Sequence, residues 1–294
     1  MDYIDTKTIL TRVKSNDSLW FHADYNINLY RGCSFGCVYC DSRSICYGIE
    51  DFDKVKAKRN AIEILEKELS SKRKVGVCTL GAMSDPYNPL EKELELTRKS
   101  LQLLKKYGFG VVIVTKSNLV IRDIELLKQM NEFLPVLVNF TITTSNPHLK
   151  AIIEPNSPSN EERFEAIEQL SKAKIKTGIT MMPLLPFIND NEDNLNAIIK
   201  EASKRQAHHI YAHFGVTLRD RQRDYYYSFL KNNFPELILE YEKYYQNSYY
   251  CNSKKANVLI NLLQKTAKPL GILTDIQEIN KSFYRVPEQL SLDF

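Results

Sequence analysis

Short apolar runs alternate along the chain with longer segments in which apolar residues recur every three or four positions. The short runs predict strands at residues 25–29, 75–80, 111–115, 136–143, 176–182 and 209–214. The longer segments predict amphipathic helices at residues 56–71, 95–107, 122–131, 161–174 and 191–205. Strands that alternate with helices of this length predict six strand–helix units, which form a parallel sheet covered by helices.

The pattern changes after residue 219, from where the chain is predicted to be helical as far as Gly271. We therefore expect a core of residues 1–218 and a helical C-terminal extension of residues 219–294 packed against it. The apolar runs are too short to span a bilayer. The first residues lack the basic and apolar regions of a signal peptide, so we expect a cytoplasmic protein without membrane contact.

Composition adds two constraints. Apolar residues make up 43% and charged residues 26% of the chain, which is typical of a globular protein, and the net charge of +4 permits a nucleic-acid partner without requiring one. Three of the six cysteines fall within eight residues. Such clustering favours metal binding in a reducing compartment over a disulfide framework.

These three cysteines, Cys33, Cys37 and Cys40, have the spacing C-x3-C-x2-C, and Gly32 and Gly36 let the intervening backbone curl. Thiolates are soft ligands that suit iron–sulfur clusters, zinc or copper(I). A structural metal site normally has four protein ligands, so three leave one position open for chemistry. A zinc site completed by Cys46, in a non-catalytic nucleic-acid-binding module, is the alternative.

The cysteine spacing, with Tyr39 directly before the last cysteine, resembles the signature of the radical S-adenosylmethionine (SAM) enzymes. This resemblance implies a [4Fe-4S] cluster held by Cys33, Cys37 and Cys40, and SAM bound to the fourth iron. It also implies reductive cleavage of SAM to a 5'-deoxyadenosyl radical, with an electron donor such as flavodoxin or ferredoxin.

Further motifs follow the predicted strands. They are Ser84-Asp85-Pro86-Tyr87, Thr115-Lys116-Ser117, the hydroxyl run ending at Thr143-Thr144-Ser145, Glu154-Pro155 with Arg163, and Pro183-x-x-Pro186 with Asn189-Asp190. The Ser84–Asp85 loop offers a hydroxyl and a carboxylate to a polar ligand, and Glu154 could pair with Arg163.

In this order, and over residues 24–190, the motifs resemble the spore photoproduct lyase-related branch of radical SAM proteins. The resemblance implies a partial (β/α)6 TIM-like barrel with its site at the carboxyl ends of the strands. It also implies SAM contacts from Ser84, Lys116 and Thr143, with Lys116 on the SAM carboxylate.

The chain departs from the lyases that repair DNA at the positions that carry their chemistry. Ala82-Met83 stands where those lyases have a hydrogen-donor cysteine, so Cys78 on the strand is the nearest candidate. Asp41 replaces a tyrosine after the third cysteine, while Tyr39 is retained. Tyr39 and Cys78 are thus the candidate catalytic residues. The substrate does not follow from the shared core, and a true DNA photoproduct lyase is a second alternative.

The C-terminal part contains a run of cations and aromatics at residues 219–227, a combination that binds single-stranded nucleic acid. The tyrosines at 241, 244, 245 and 249 have helical spacing, which is more typical of a packing stripe. His213, Cys46 and Cys251 have no assigned role.

Overall fold

The computed structural model describes residues 2–13 and 20–284. Its strands are β1 (Tyr3–Ile4), β2 (Leu10–Arg12), β3 (Tyr25–Ile27), β4 (Tyr30–Arg31), β5 (Lys56–Lys58), β6 (Val77–Leu80), β7 (Gly110–Thr115), β8 (Val136–Thr141), β9 (Lys176–Met181), β10 (His209–Ala212), β11 (Gly215–Thr217) and β12 (Tyr250–Asn252). Its α-helices are α1 (Ala61–Ser70), α2 (Glu91–Leu94), α3 (Leu96–Lys106), α4 (Ile124–Asn131), α5 (Pro147–Ile153), α6 (Asn160–Lys172), α7 (Glu192–Lys204), α8 (Asp220–Asn233), α9 (Ile238–Tyr245), α10 (Ala256–Ala267) and α11 (Ile276–Phe283).

The predicted parallel sheet is confirmed. Within the described residues, the main sheet has the order β10-β9-β8-β7-β6-β3-β2. In this sheet β3, β6, β7, β8, β9 and β10 run parallel, and β2 pairs antiparallel with β3 at one edge. Side chains of β6 and β8 are buried on both faces, as expected where helices cover both sides of a sheet. The fold is a partial (β/α)6 barrel with C-terminal helices.

One predicted helix is partly wrong. Residues 56–58 form β5, which pairs with β1 and β4, and α1 starts only after Asn60 in the left-handed conformation at φ 52°. The alternation of two half-buried lysines around buried Ala57 suits a strand beside β4. This small sheet matters because β4 leads directly into the cysteine loop.

Several other short elements were not predicted, and two of them bear on the site and on the extension. The short helix α5 follows β8, and the side chain of its N-cap residue Asn146 accepts hydrogen bonds from the first turn. The C-terminal part is not wholly helical, because β12 pairs antiparallel with β11. That pairing joins residues on both sides of the predicted boundary at residue 218.

Besides the contacts of α8 and α9 with the cysteine loop, the extension packs against the barrel through α10 and α11. Leu259 and Leu263 of α10 join the main core beside α7. Ile279 and Phe283 of α11 pack with Phe21 and with residues of β6, β7 and β8 on the other side of the sheet. The predicted extension continues to residue 294, but residues 285–294 lie outside the described part of the chain. Across the described ranges, the helices are all too short or too polar to cross a membrane.

Candidate functional site

The cysteine loop follows β4, and glycine is required at two of its positions. Gly32 has φ +81°, and a Cβ atom there would lie 2.4 Å from the carbonyl oxygen of Lys54. Gly36 has φ +71°, and its Cβ atom would lie 3.0 Å from the ring of Pro155. Any side chain at either position would therefore meet both backbone strain and close contacts.

Backbone hydrogen bonds hold the loop against its neighbours. Cys33 N donates to Phe52 O at 2.8 Å, and Val38 N donates to the carbonyl oxygen of Ile153, at the end of α5, at 3.0 Å. The amide of Asn156 donates back to Phe35 O at 3.2 Å. The unpredicted helix α5 thus forms one wall of the loop, whose shape is fixed by the protein alone.

The three thiols of the loop are near enough to shift one another's pKa. Burial raises the pKa of Cys33 to about 11, of Cys37 to about 12 and of Cys40 to about 11, and each of these thiols raises the pKa of another. Cys46, by contrast, is exposed and lies near Tyr47 and Arg219. Three mutually close soft ligands, with the fourth thiol turned away, fit a cluster that takes three protein ligands.

Among the residues that the structure describes, no three histidine, cysteine or carboxylate side chains converge as the ligands of a single metal ion would. An iron–sulfur cubane does not require such convergence, because each thiolate binds a different iron atom. The Cys33–Cys37–Cys40 loop therefore suits a cluster better than a single ion.

A buried ionic network lies behind the loop. The hydroxyl of Tyr39 donates to the Glu154 carboxylate, and Glu154 forms an ion pair with Arg163, with 2.7 Å between Oε2 and Nη2. Both charged side chains are at most 1% exposed. Burial alone would raise the pKa of Glu154, but Arg163 and Lys116 outweigh it and lower that pKa. The predicted pairing of Glu154 with Arg163 is confirmed.

Lys116 brings a positive charge to the same place. Its Nζ lies 5.5 Å from the centre of the Tyr39 ring. Burial alone would lower the pKa of Lys116, but Cys37 and Glu154 outweigh it and raise that pKa, so the side chain stays charged. Within the described ranges, its ammonium makes neither a hydrogen bond nor an ion pair of contact length. A charged ammonium group that has hydrogen-bonding capacity left, and that lies near the thiols, suits an anionic ligand.

Asp85, a candidate ligand-binding residue, is hydrogen-bonded to the protein in this structure. Its carboxylate accepts hydrogen bonds from Tyr87 N at 2.9 Å, from Thr115 Oγ1 at 2.7 Å and from Lys116 N at 2.8 Å. These bonds join the loop after β6 to the end of β7. Burial raises the pKa of Asp85, although the three hydrogen bonds oppose that shift. Asp85 therefore sets the position from which Lys116 extends.

Ser84 and Thr143 are buried just beyond the carboxyl ends of β6 and β8, which lie on either side of β7 in the sheet. The hydroxyl of Ser84 lies 3.4 Å from Tyr30 O, and the carbonyl of Thr143 accepts from the side chains of Asn189 and Asn194 at 2.9 and 3.0 Å. Ser84, Asp85, Lys116 and Thr143 thus all lie at the carboxyl end of the sheet, which we call the rim and where the cysteine loop also lies.

Cys78 is not part of this group. It lies in the amino-terminal half of β6, opposite Tyr25 and Val111, and is fully buried in the main core. Burial and the nearby Asp24 raise its pKa well above the ordinary value. The structure brings Tyr39 to the cysteine loop but does not bring Cys78 there.

The three arginines of residues 219–223 form their hydrogen bonds with the chain itself. This corrects the interpretation that these cations bind single-stranded nucleic acid. Arg219 pairs with Asp41 at 2.5 Å, Arg221 donates to backbone carbonyls of the segment after the cysteine loop, and Arg223 donates to carbonyls of residues 218, 246 and 248.

The packing stripe is confirmed for Tyr241 and Tyr245, which are buried. Sequence reasoning missed Arg43, which is 5% exposed and contacts the cysteine loop.

With this geometry established, comparison with known proteins identifies the family. Residues 27–198, more than half of the chain, match the Radical SAM superfamily. The chain belongs to this superfamily. It is therefore a radical SAM enzyme, and the family implies a [4Fe-4S] cluster as cofactor and SAM as co-substrate. Membership also replaces the alternative of a non-catalytic zinc module.

The chain is also similar to individual proteins. An uncharacterised protein of Mycobacterium tuberculosis is 29% identical over 252 residues, which cover 83% of this chain and 73% of that protein. An uncharacterised protein of Methanocaldococcus jannaschii is 36% identical over 173 residues, 58% of this chain and 64% of that protein. A spore photoproduct lyase mutant, solved with AdoMet and a dinucleoside spore photoproduct, superimposes with a TM-score of 0.65 over 92% of this chain and 80% of its own. At 16% identity the last likeness concerns the fold alone.

Proposed function

We propose that Cys33, Cys37 and Cys40 ligate the cluster, that Lys116 binds the carboxylate of SAM, and that the enzyme abstracts hydrogen from a nucleic-acid substrate. The observation that carries the proposal is the Lys116 ammonium, which lies over the Tyr39 ring, opposes the pKa shifts of Cys37 and Cys40, and has no close anionic partner among the described residues. A cluster with one iron free of protein ligands needs a bound molecule to complete it, and the cation favours a molecule with a carboxylate.

When bound, the cluster and SAM supply the one-electron cleavage that yields a 5'-deoxyadenosyl radical. The protein supplies binding, orientation and exclusion of water. Asp85 positions the Lys116 segment through hydrogen bonds from Thr115 Oγ1 and Lys116 N, and Ser84 and Thr143 lie at the same end of the sheet. We assign Tyr39 a positioning role, because its hydroxyl is already committed to Glu154.

The substrate class is proposed from the surface beside this rim. Tyr244 and Tyr250 are 40% and 61% exposed, and the exposed lysines Lys243 and Lys254 lie over the ring of Tyr244. The Tyr244 ring also lies 5.9 Å from that of Phe187, in the loop after β9. Aromatic rings beside cations bind single-stranded nucleic acid through stacking and phosphate contacts. The dinucleoside bound to the spore photoproduct lyase is consistent with this class.

The cluster assignment is tested by anaerobic reconstitution with iron and sulfide, followed by SAM and dithionite. The parent protein should release 5'-deoxyadenosine. Cys40→Ser should lose both most of the iron and this activity, whereas Cys46→Ser should retain both. A fully loaded parent that leaves SAM intact, or a Cys46→Ser protein as deficient as Cys40→Ser, would contradict the assignment.

The substrate class is tested by the fluorescence anisotropy of a labelled single-stranded oligonucleotide. The parent should bind with an affinity that falls as salt rises, since phosphate contacts release counterions. Lys243→Ala combined with Lys254→Ala should weaken binding at least about tenfold and reduce the salt dependence. Lys67→Ala, an exposed lysine on α1, is the control and should leave both unchanged.

The second candidate, DNA photoproduct repair, is favoured by the shared fold alone. Loaded enzyme, SAM and reductant would then restore thymines in irradiated DNA. Because Cys78 is buried away from the rim, we expect no restored thymine above the level obtained with Cys40→Ser.

A further inference from the structure

The segment that follows the cysteine loop is held from outside by helix α8. Asp41, next to the ligand Cys40, accepts hydrogen bonds from Arg219 Nη2 at 2.5 Å and from Tyr47 OH at 3.0 Å. Arg221 donates to Arg43 O at 2.9 Å and to Glu50 O at 3.1 Å. The extension thus contacts the backbone between Asp41 and Asp53 at several points.

Arg43 is the centre of this contact. Its side chain is 6% exposed, and its two terminal nitrogens bind both oxygens of Asp53 at 2.8 and 2.6 Å. Its guanidinium lies 4.0 Å from the centre of the Tyr225 ring of α8 and 5.0 Å from that of Phe52. The remaining nitrogen, Nε, donates to the carbonyl oxygen of Cys37 at 3.3 Å.

Each of these contacts uses the flat, forked shape of guanidinium. A lysine could keep the positive charge, but it could not hold two carboxylate oxygens, stack between two rings and reach a third acceptor at once. The arrangement therefore transmits the position of α8 to the backbone of the cysteine loop. None of these contacts of Arg43 involves Lys116, Glu154 or Arg163.

We propose that Arg43 is a positioning residue for the cluster, and that through Tyr225 the C-terminal extension is part of the site. The proposal rests on ligation of the cluster by Cys33, Cys37 and Cys40. Residues behind metal ligands typically change metal affinity about 10- to 100-fold when replaced. The expected consequence of loosening Arg43 is faster loss of iron from a protein that still folds.

The test measures how fast a ferrous chelator removes iron from the reconstituted full-length protein without oxygen. Arg43→Lys should release iron at least about tenfold faster than the parent, and Tyr225→Leu should show a smaller increase. Both variants should change the electron paramagnetic resonance spectrum of the dithionite-reduced cluster. The unfolding midpoint of the iron-free protein should stay close to that of the parent.

Arg59→Lys is the matched control, because Arg59 also pairs with a carboxylate, Asp5, at 2.9 Å and lies 5.4 Å from an aromatic ring, Tyr3. It should release iron at the parent rate. Parent-like release and spectra in Arg43→Lys and Tyr225→Leu would overturn the proposal, as would equal effects in Arg59→Lys. Loss of iron that only parallels a loss of iron-free stability would also overturn it. A parent protein that holds no cluster would instead contradict the proposed function.

Discussion

The two ends of the same parallel sheet bury polar side chains in opposite ways. At the carboxyl end, Glu154 is buried but its pKa is lowered, because two cations lie beside it. At the amino end, burial lowers the pKa of His208 to about 4 and that of His209 well below its ordinary value, and the nearby Lys176 adds to the shift of His208. Burial is common to both ends, so neighbouring charges decide which groups stay ionised.

The cysteines follow the same rule. Burial raises the pKa of Cys37 and of Cys78, but Lys116 opposes the shift at Cys37, whereas Asp24 adds to it at Cys78. A metal cluster requires thiolates. Of these two cysteines, the one at the carboxyl end has a cation beside it, which favours the ionised ligand.

The largest effect is expected from removing the buried anion of the carboxyl end. Glu154→Gln keeps the size of the side chain but leaves Arg163 and Lys116 without their counter-charge, and breaking a buried ion pair costs about 3–5 kcal/mol. Urea unfolding at pH 7 measures the loss. Glu125→Gln, which affects an exposed pair with Lys128, is the control and should cost under about 1 kcal/mol. Equal losses in the two variants would contradict the contrast drawn here.

Removing the cation should affect ligand binding more than folding. Lys116→Met leaves Glu154 paired with Arg163 but removes the charge proposed for the SAM carboxylate. A charge-assisted hydrogen bond contributes about 1.5–3 kcal/mol, so SAM should bind the loaded protein roughly 10- to 100-fold more weakly. Equilibrium dialysis with labelled SAM tests this, and Lys67→Met serves as control. If the affinity for SAM were unchanged, Lys116 would not bind the SAM carboxylate.

At the amino end the expected effect depends on pH. His208 has a folded-state pKa near 4 against an ordinary value of 6.5, so the unfolded chain binds more protons between these values. Its contribution to the free energy of unfolding is present above pH 6.5 and is lost as the pH falls towards 4. Between pH 6.5 and 4, the parent should therefore lose on the order of 2 kcal/mol more unfolding free energy than His208→Gln, a figure discounted because the side chain is only half-buried.

His148→Gln is the matched control for this prediction, because His148 is exposed on α5. Unfolding free energies measured at several pH values between 4 and 7 should show the parent slope in this variant. A parent slope in His208→Gln as well would show that His208 is not held neutral by burial.

The smallest effect is expected at Cys78. Cys78→Ala removes one buried sulfur from the main core and should cost about 1 kcal/mol. Formation of 5'-deoxyadenosine and turnover of any substrate found should stay at the parent level. A variant with parent stability but altered products would instead make Cys78 a participant in the reaction.

The sequence alone was sufficient for the architecture and for the chemistry of the cysteine loop. Six apolar runs alternating with amphipathic segments define a parallel sheet, because each element carries its own period of burial. The spacing of Cys33, Cys37 and Cys40 is equally local, since residues this close in the chain share one loop. The elements that were missed, among them β5, α5 and β12, are short, and β5 and β12 pair with strands distant in sequence.

Only the tertiary structure decided which charged residues face the site. Arg219 and Arg221 share their sequence pattern with nucleic-acid-binding segments, yet they bind Asp41 and backbone carbonyls near the loop. Asp85 binds amides and Arg43 reaches Cys37 for the same reason: their partners come from other parts of the chain. The ionisation of a buried side chain depends on charges within a few ångströms, and those distances are set by packing rather than by position along the sequence.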